Sequence, residues 1–351
     1  MNNPKVSVII PMYNRKHYIS DAVDSVLNQT FQDFEIIIRD DGSTDGSYDF
    51  VKEKYDAQIS TGKIKLHRNE KNIGEFATVR ALSEDAIGKY IMILHSDDLF
   101  LPHAIAHLYK TAEAYDADVV HASFFLNSPK NGVINDIKNC TPTCWEKHIF
   151  DKVTLMPNEP VLRFKEWLDF GTFIDSQYNI FNRKFILDND ILFDCGGRHR
   201  CIALWWLMKA KVFVKTPIIH YIRRDAPDSG TNIENFPPEK LEKFISNEIE
   251  LFHNMDKYLD EIEFFKDDDL LRYITKAHLF KILDDFDITR RRAYQNGITS
   301  ELYQAVVNAF KKHFGKDYFY PAFLFNWIHV MPYNQRVDMI LSPSGKNKLE
   351  T

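Results

Sequence analysis

The stretch Val6-Ser7-Val8-Ile9-Ile10-Pro11 decides the fold. It is short, β-branched and almost continuously apolar. A run of this kind, without polar alternation, belongs to a strand covered on both faces, as in a parallel sheet. The proline is expected to end it. Working outward, His17 to Leu27 carries an apolar helical stripe at Tyr18, Ile19, Ala22, Val23, Val26 and Leu27. Phe34 to Ile38 repeats the strand signature and closes on the polar turn Asp40-Asp41-Gly42-Ser43-Thr44-Asp45-Gly46. A helix near Tyr48 to Tyr55, a strand at Ile64 to His67, a helix over Phe76 to Ala86 and a strand at Tyr90 to Leu94 follow. Strand and helix alternating at this rhythm predict a parallel α/β sheet with right-handed crossovers.

Ligands of such sheets bind beyond the carboxyl ends of the strands. Tyr13-Asn14-Arg15, Asp40-Asp41 and Asp97-Asp98 each follow a strand, so the three clusters are expected on one edge. Adjacent carboxylates at a strand end suit a hard divalent cation and the phosphates it bridges. The same pair also reads as a solvated turn, or as a helix cap ahead of Leu99-Phe100-Leu101-Pro102.

Composition narrows the classes. The 351 residues carry a net charge of −6, which disfavours wrapping nucleic acid. Four cysteines in this length make no disulfide scaffold. Cys140, Cys144, Cys195, His199 and Cys201 lack a finger-like zinc spacing, and the cysteines read chiefly as ordinary thiols. The start shows no secretory signal, and no apolar run reaches the roughly 20 residues of a spanning helix. The expected location is the cytoplasm or, peripherally, the inner face of the plasma membrane. After Pro237-Pro238, apolar residues recur at helical spacing from Leu241 to Phe314.

Several blocks together resemble the family 2 glycosyltransferases, which have the GT-A fold. They are Val6 to Arg15, Ser25-Val26-Leu27-Asn28-Gln29-Thr30-Phe31, Asp33-Phe34-Glu35, Asp40 to Asp45, Gly88-Lys89-Tyr90-Ile91, Ser96-Asp97-Asp98 and Pro102. The resemblance implies a GT-A, Rossmann-like, mostly parallel sheet flanked by helices. It implies that Pro11, Tyr13 and Arg15 line a nucleotide pocket and that Asp41 accepts a hydrogen bond from the base. It implies that Asp97 and Asp98 occupy the metal and donor-sugar site, with Asp98 the direct ligand of Mn²⁺ or Mg²⁺. Arg223, in His220-Tyr221-Ile222-Arg223-Arg224, matches a late block whose arginine approaches the diphosphate.

Three positions depart from the family's pattern. His95 stands where the metal motif often has an acid. Arg80 stands where an asparagine is usual and is a candidate for the diphosphate. Arg200-Cys201 stands where a Glu-Asp pair supplies the catalytic base. A guanidinium is no base at neutral pH. His199 and Asp194 are therefore the nearest candidates, beside Gly196-Gly197, with Asp175 a further one.

The function so implied is inverting transfer of a sugar from a nucleoside diphosphate, UDP above all, to a hydroxyl of a glycan or lipid-linked glycan in bacterial surface polysaccharide synthesis. Two rivals stand beside it. One is a catalytically silent nucleotide-sugar-binding relative that scaffolds a synthase. The other is a sugar-nucleotide pyrophosphorylase, disfavoured because Pro11-Met12-Tyr13-Asn14 is not a glycine-rich loop. Residues 1–235 are read as the catalytic domain, with a donor half over 1–125 and an acceptor-side half over 126–235. Residues 236–344 are read as a helical region and 345–351 as a polar tail. The aromatic run Tyr318 to Ile328 reads as packing or as a membrane-interface contact, with Arg290-Arg291-Arg292 nearby.

Overall fold

The opening run forms strand β1, Val6–Met12, and is buried along nearly its whole length. It continues through Pro11 rather than stopping before it. The reason lies in the partners. On one side β1 pairs in parallel with β2, Phe34–Asp40, as far as Met12. On the other it pairs with β4, Tyr90–Ile93, only from Val6 to Ile9. Ile9 still offers its carbonyl to Leu94, so Pro11, two residues on, faces the same side beyond the end of β4. There its missing N–H costs no ladder bond.

The computed structural model describes residues 3–130, 132–144, 146, 150–159, 162, 163, 166, 176–189, 206–225, 246, 308 and 312. The chain divides into two compact units, Met1–Ser229 and Gly230–Thr351. In the second unit, Ser246, Asn308 and Lys312 are helical, and the Lys312 ammonium donates to the Ser246 hydroxyl at 3.1 Å. The remainder of the C-terminal region, including the aromatic run and the arginine cluster, lies outside the described residues.

In the first unit the strands lie in one mixed sheet, ordered β3-β2-β1-β4-β9-β6-β10-β5. Here β3 is Ile64–Arg68, β5 Leu99–Phe100, β6 Val119–Asn127, β9 Asn179–Asn182 and β10 Phe213–Arg223. Two short strands, β7 (Thr141–Thr143) and β8 (Thr154–Leu155), pair with β6 and β10 respectively. The parallel order expected from the first third holds for β3-β2-β1-β4. Strand β9 is antiparallel to both β4 and β6 and makes the sheet mixed.

The same unit holds helices α1 (Ile19–Leu27), α2 (Ser47–Lys54), α3 (Asp56–Ser60), α4 (Glu75–Asp85), α5 (Ala104–Tyr115) and α6 (Arg183–Asn189). The α1 stripe buries Ile19, Ala22, Val23 and Val26, in one core with Val8, Ile10, Ile36, Ile38 and Tyr90. Gly88 is needed where the chain crosses β1, because a Cβ there would sit 2.7 Å from the Ser7 nitrogen. Among the described residues no helix is long and apolar enough to cross a membrane.

Strand β10 carries a polar load into the core. Lys215 is fully buried and pairs with Glu146 at 2.8 Å, and Glu146 also meets His121 Nε2 at 2.7 Å. Such a cluster is tolerated because each charge has an opposite neighbour. His220, beside the rings of Phe100 and Tyr221, is fully buried as well. Burial, with His121 adding to it, pushes its imidazole pKa down to about 3 from the usual 6.5.

The unfolded chain takes up a proton at this histidine as pH falls below 6.5, while the native chain does not. The stability tied to His220 is thus present above that pH and is lost progressively toward pH 3. His220→Phe removes the titration and keeps a ring. Denaturant titrations between pH 7 and 4 are expected to give a shallower loss of stability in the variant than in the wild type.

Candidate active site

Two adjacent loops form one lip of the strand-end cleft. Asn14 adopts a left-handed backbone, φ 52°, just after β1. Its N–H donates to the Ser43 hydroxyl at 2.8 Å, and its side-chain oxygen accepts from the Thr44 N–H at 2.9 Å. The Arg15 N–H donates to the Ser47 hydroxyl at 2.9 Å and the Lys16 N–H to Asp45 at 3.1 Å. The 13–16 turn is thereby laced to the 43–47 turn. Tyr13 remains 44% exposed, so its ring faces solvent at this lip. Gly42 has φ +75°, and a Cβ there would lie 2.9 Å from backbone atoms of Lys71 and Asn72. Only glycine fits that crossing.

The two acids before Gly42 differ. Asp40 is buried and meets the Ser43 N–H and the Arg68 guanidinium, both at 3.2 Å. Burial, the largest influence, raises its pKa. Asp41 turns to the 69–74 segment. Its Oδ1 accepts from Asn69 at 2.8 Å and from the Ile73 N–H at 2.9 Å, and its Oδ2 from the Gly74 N–H at 2.9 Å. Gly74 immediately precedes α4, so Asp41 fixes where that helix begins. A carboxylate offers about four lone-pair sites, and these three bonds take two on Oδ1 and one on Oδ2.

The facing lip is the turn after β4. Asp98 is buried and does not cap a helix. Its Oδ2 accepts from the Tyr221 hydroxyl at 2.7 Å and its Oδ1 from the Arg224 N–H at 2.6 Å. The Asp98 N–H closes the turn on the His95 carbonyl at 3.1 Å. Burial, followed by the neighbouring charge of Asp97, pushes the Asp98 carboxyl up to about 7, against pulls from His95, the Arg224 N–H and Tyr221. Burial and Asp98 likewise hold the Tyr221 phenol well above its usual range, so it stays a hydroxyl donor. Asp97 is more accessible, at 17%, and meets Arg15 Nε at 3.3 Å across the cleft. His95 lies 3.4 Å from Glu75 of α4 and 3.8 Å from Asp98.

The structure thus brings Pro11, Tyr13, Arg15, Asp41, Asp97 and Asp98 to the strand ends. Arg80 is exposed on α4 with Glu84 at 3.2 Å, while Val79 beside it is buried. Arg223 closes β10, and its carbonyl accepts from the Ser128 N–H at 2.9 Å. The next residue, Arg224, reaches the carboxylate turn, where its Nε donates to the Asp97 carbonyl at 2.7 Å. Sequence reasoning passed over Arg224, Tyr221, Ser43 and Ser47. A strand sends successive side chains to opposite faces, and the doublet Arg223-Arg224 does not say which one meets the turn. His199 and Asp194, with Arg200, Cys201 and Asp175, lie outside the described residues. Cys140 is buried and Cys144 half-buried, both as free thiols. Among the described residues no group of three or more His, Cys, Asp and Glu is arranged to hold a metal.

The model of glycosyl transferase family 2 matches residues 7–189, more than half of the chain and all of the described strand-end cleft up to the β4 turn. The chain belongs to glycosyl transferase family 2. Among its relatives, an uncharacterised glycosyltransferase of Rickettsia conorii is 38% identical over 137 residues, covering 39% of this chain. Glycosyltransferase GlyG of Streptococcus pneumoniae serotype 4 is 35% identical over 127 residues, covering 36%. The matches span only 22% and 41% of those two proteins.

The crystal structure of S. aureus TarS shares the fold with a TM-score of 0.58 and 19% identity, over 88% of this chain and 48% of that one. TarS 1–349 in complex with UDP-GlcNAc gives 0.53 and 20%, over 88% and 81%. The family 2 sheet is therefore the GT-A arrangement that the N-terminal blocks implied.

Asp41→Ala leaves three donors without their buried partner. It is expected to destabilise the fold by about 2 kcal/mol or more, read as a lower melting temperature without ligand. Tyr13→Ala, at an exposed ring, is expected to leave that temperature unchanged.

Proposed function

We propose that this chain transfers a sugar from a nucleoside-diphosphate sugar, a UDP-sugar above all, to a hydroxyl of a glycan or lipid-linked glycan, with inversion. The observation that carries the reading is the meeting of Arg15 and Asp97 at 3.3 Å, which joins the β1–β2 lip to the carboxylate turn over one cleft. The binding of UDP-GlcNAc by TarS, which shares the fold, supports the same choice of donor.

The residues divide the work by their chemistry. Tyr13 offers an exposed ring to a base, and the second lone pair on Asp41 Oδ2 would suit an imide N–H. Arg15 reaches the carboxylate turn from the opposite lip, and its guanidinium suits a phosphate as well as it suits Asp97. Asp97 and Asp98 would hold Mn²⁺ or Mg²⁺. The fit rests on the donor set, two adjacent carboxylates in the turn after β4, which is the oxygen chemistry such a hard ion takes. Two carboxylates are as many as such an ion commonly takes from protein when phosphates and water supply the rest. When bound, the ion neutralises charge building on the departing diphosphate.

Transfer forms a bond from the acceptor oxygen to the anomeric carbon as the bond to the diphosphate oxygen breaks. The hydroxyl proton passes to a base, for which His199 and Asp194 are the candidates. We place this reaction in surface polysaccharide assembly at the cytoplasmic face. The aromatic run Tyr318 to Ile328 would be the contact for a lipid-linked acceptor.

The test is nucleoside diphosphate release from a panel of nucleotide sugars with Mn²⁺, with and without glycan acceptors. Asp97→Asn and Asp98→Asn are each expected to lose about a hundredfold or more in turnover. No turnover of any donor in the wild type, with binding retained, would favour a silent scaffold. Turnover untouched by both substitutions would remove the carboxylate turn from the mechanism.

A further inference from the structure

The guanidinium of Arg224 is nine-tenths buried and has a partner on every nitrogen. Nε donates to the Asp97 carbonyl, Nη1 to the Gly132 carbonyl and Nη2 to the Asp21 carboxylate, each at 2.7 Å. Its Cζ lies 5.2 Å from the Tyr18 ring centroid, and the Arg224 backbone N–H holds Asp98 at 2.6 Å. One residue thus touches three separate parts of the fold. They are the carboxylate turn, helix α1 through Asp21 with Tyr18 just ahead of it, and the 128–132 loop.

That loop is drawn in closely. The Ser128 N–H donates to the Arg223 carbonyl, and the Asp225 N–H to the Ser128 hydroxyl, both at 2.9 Å. Gly132, at φ +69°, comes so near that a Cβ would lie 2.9 Å from the Asp225 carbonyl and 3.4 Å from Arg224 Cγ. A planar fork that meets two carbonyls and a carboxylate has no counterpart in lysine.

We infer that Arg224 is a positioning residue: it ties the 128–132 loop and α1 to the carboxylate turn and so fixes how Asp97 and Asp98 face the cleft. Its consequence for metal binding rests on the donor-site reading above. Its consequence for the turn does not. Tyr221 acts with it from the same strand, donating to Asp98 and accepting from the His95 N–H at 3.3 Å.

The experiment uses the full chain as wild type, Arg224→Met, Arg224→Lys and Asp21→Asn. Amide hydrogen exchange is read over residues 95–98. Retention of Mn²⁺ in the presence of UDP is read from the spin-resonance signal of the free ion, and UDP affinity is measured in a chelator. Arg224→Met is expected to speed exchange at 95–98 and to weaken Mn²⁺ retention by about tenfold or more, with metal-free UDP affinity within about twofold of wild type. Arg224→Lys should recover only part of the loss, and Asp21→Asn should show a smaller one.

Wild-type exchange at 95–98 in folded Arg224→Met would overturn the assignment. So would an equal loss of UDP affinity with and without Mn²⁺. If Arg224→Met does not fold, Arg224→Lys and Asp21→Asn carry the same comparison. A wild type that retains no Mn²⁺ with UDP would count against the donor reading, and the exchange comparison would still decide the role of Arg224.

Discussion

The burial of one carboxylate constrains the rest of this site. Asp98 sits at the end of a buried strand, beside a second acid, and is nearly inaccessible to water. A carboxylate there has to be supplied with donors, and the fold supplies them from residues more than a hundred positions away, Tyr221 and Arg224. That requirement brings the end of β10 against the turn after β4. It also places the adjoining Asp97 where it can reach Arg15 on the opposite lip. Burial and the neighbouring Asp97 still raise the carboxyl's pKa, to about 7, against the pull of those donors.

The opposite lip solves a different problem. Two loops that each leave a strand end must hold their shape without regular structure. Here they do so by lending side chains to one another's backbone, Ser43 and Ser47 to the 14–15 turn and Asn14 to Thr44. Asp41 extends the same device to the start of α4. Rigid loops of this kind keep an exposed group such as Tyr13 in place before a ligand arrives, which lowers the ordering cost of binding.

The parallel half of the fold was legible because its strands are short apolar runs set between amphipathic helices. β1, β2, β3 and β4 all lie where the patterning put them. β6 and β9 were not read. β6 carries His121 and Ser123 among its buried positions, and β9 is four residues with asparagine at each end. Neither has the periodicity that marks a strand in isolation. The cleft was legible for the same reason as the sheet, since three polar clusters follow three strands. What holds the clusters was not, because the partners come from distant sequence. Nothing in Arg223-Arg224 says that the second arginine meets the Asp97 carbonyl, and nothing in Asp40-Asp41 says that both carboxylates are already engaged inside the fold.

The central claim is that the β1–β2 lip and the carboxylate turn together form one donor site. A crystal structure of the chain with UDP and Mn²⁺ tests it most directly. The account predicts the uracil against Tyr13 and the open side of Asp41, with the diphosphate over Asp97 and Arg15. A nucleotide bound away from both lips, or one that leaves Asp97 and Arg15 without a phosphate or metal neighbour, would contradict it.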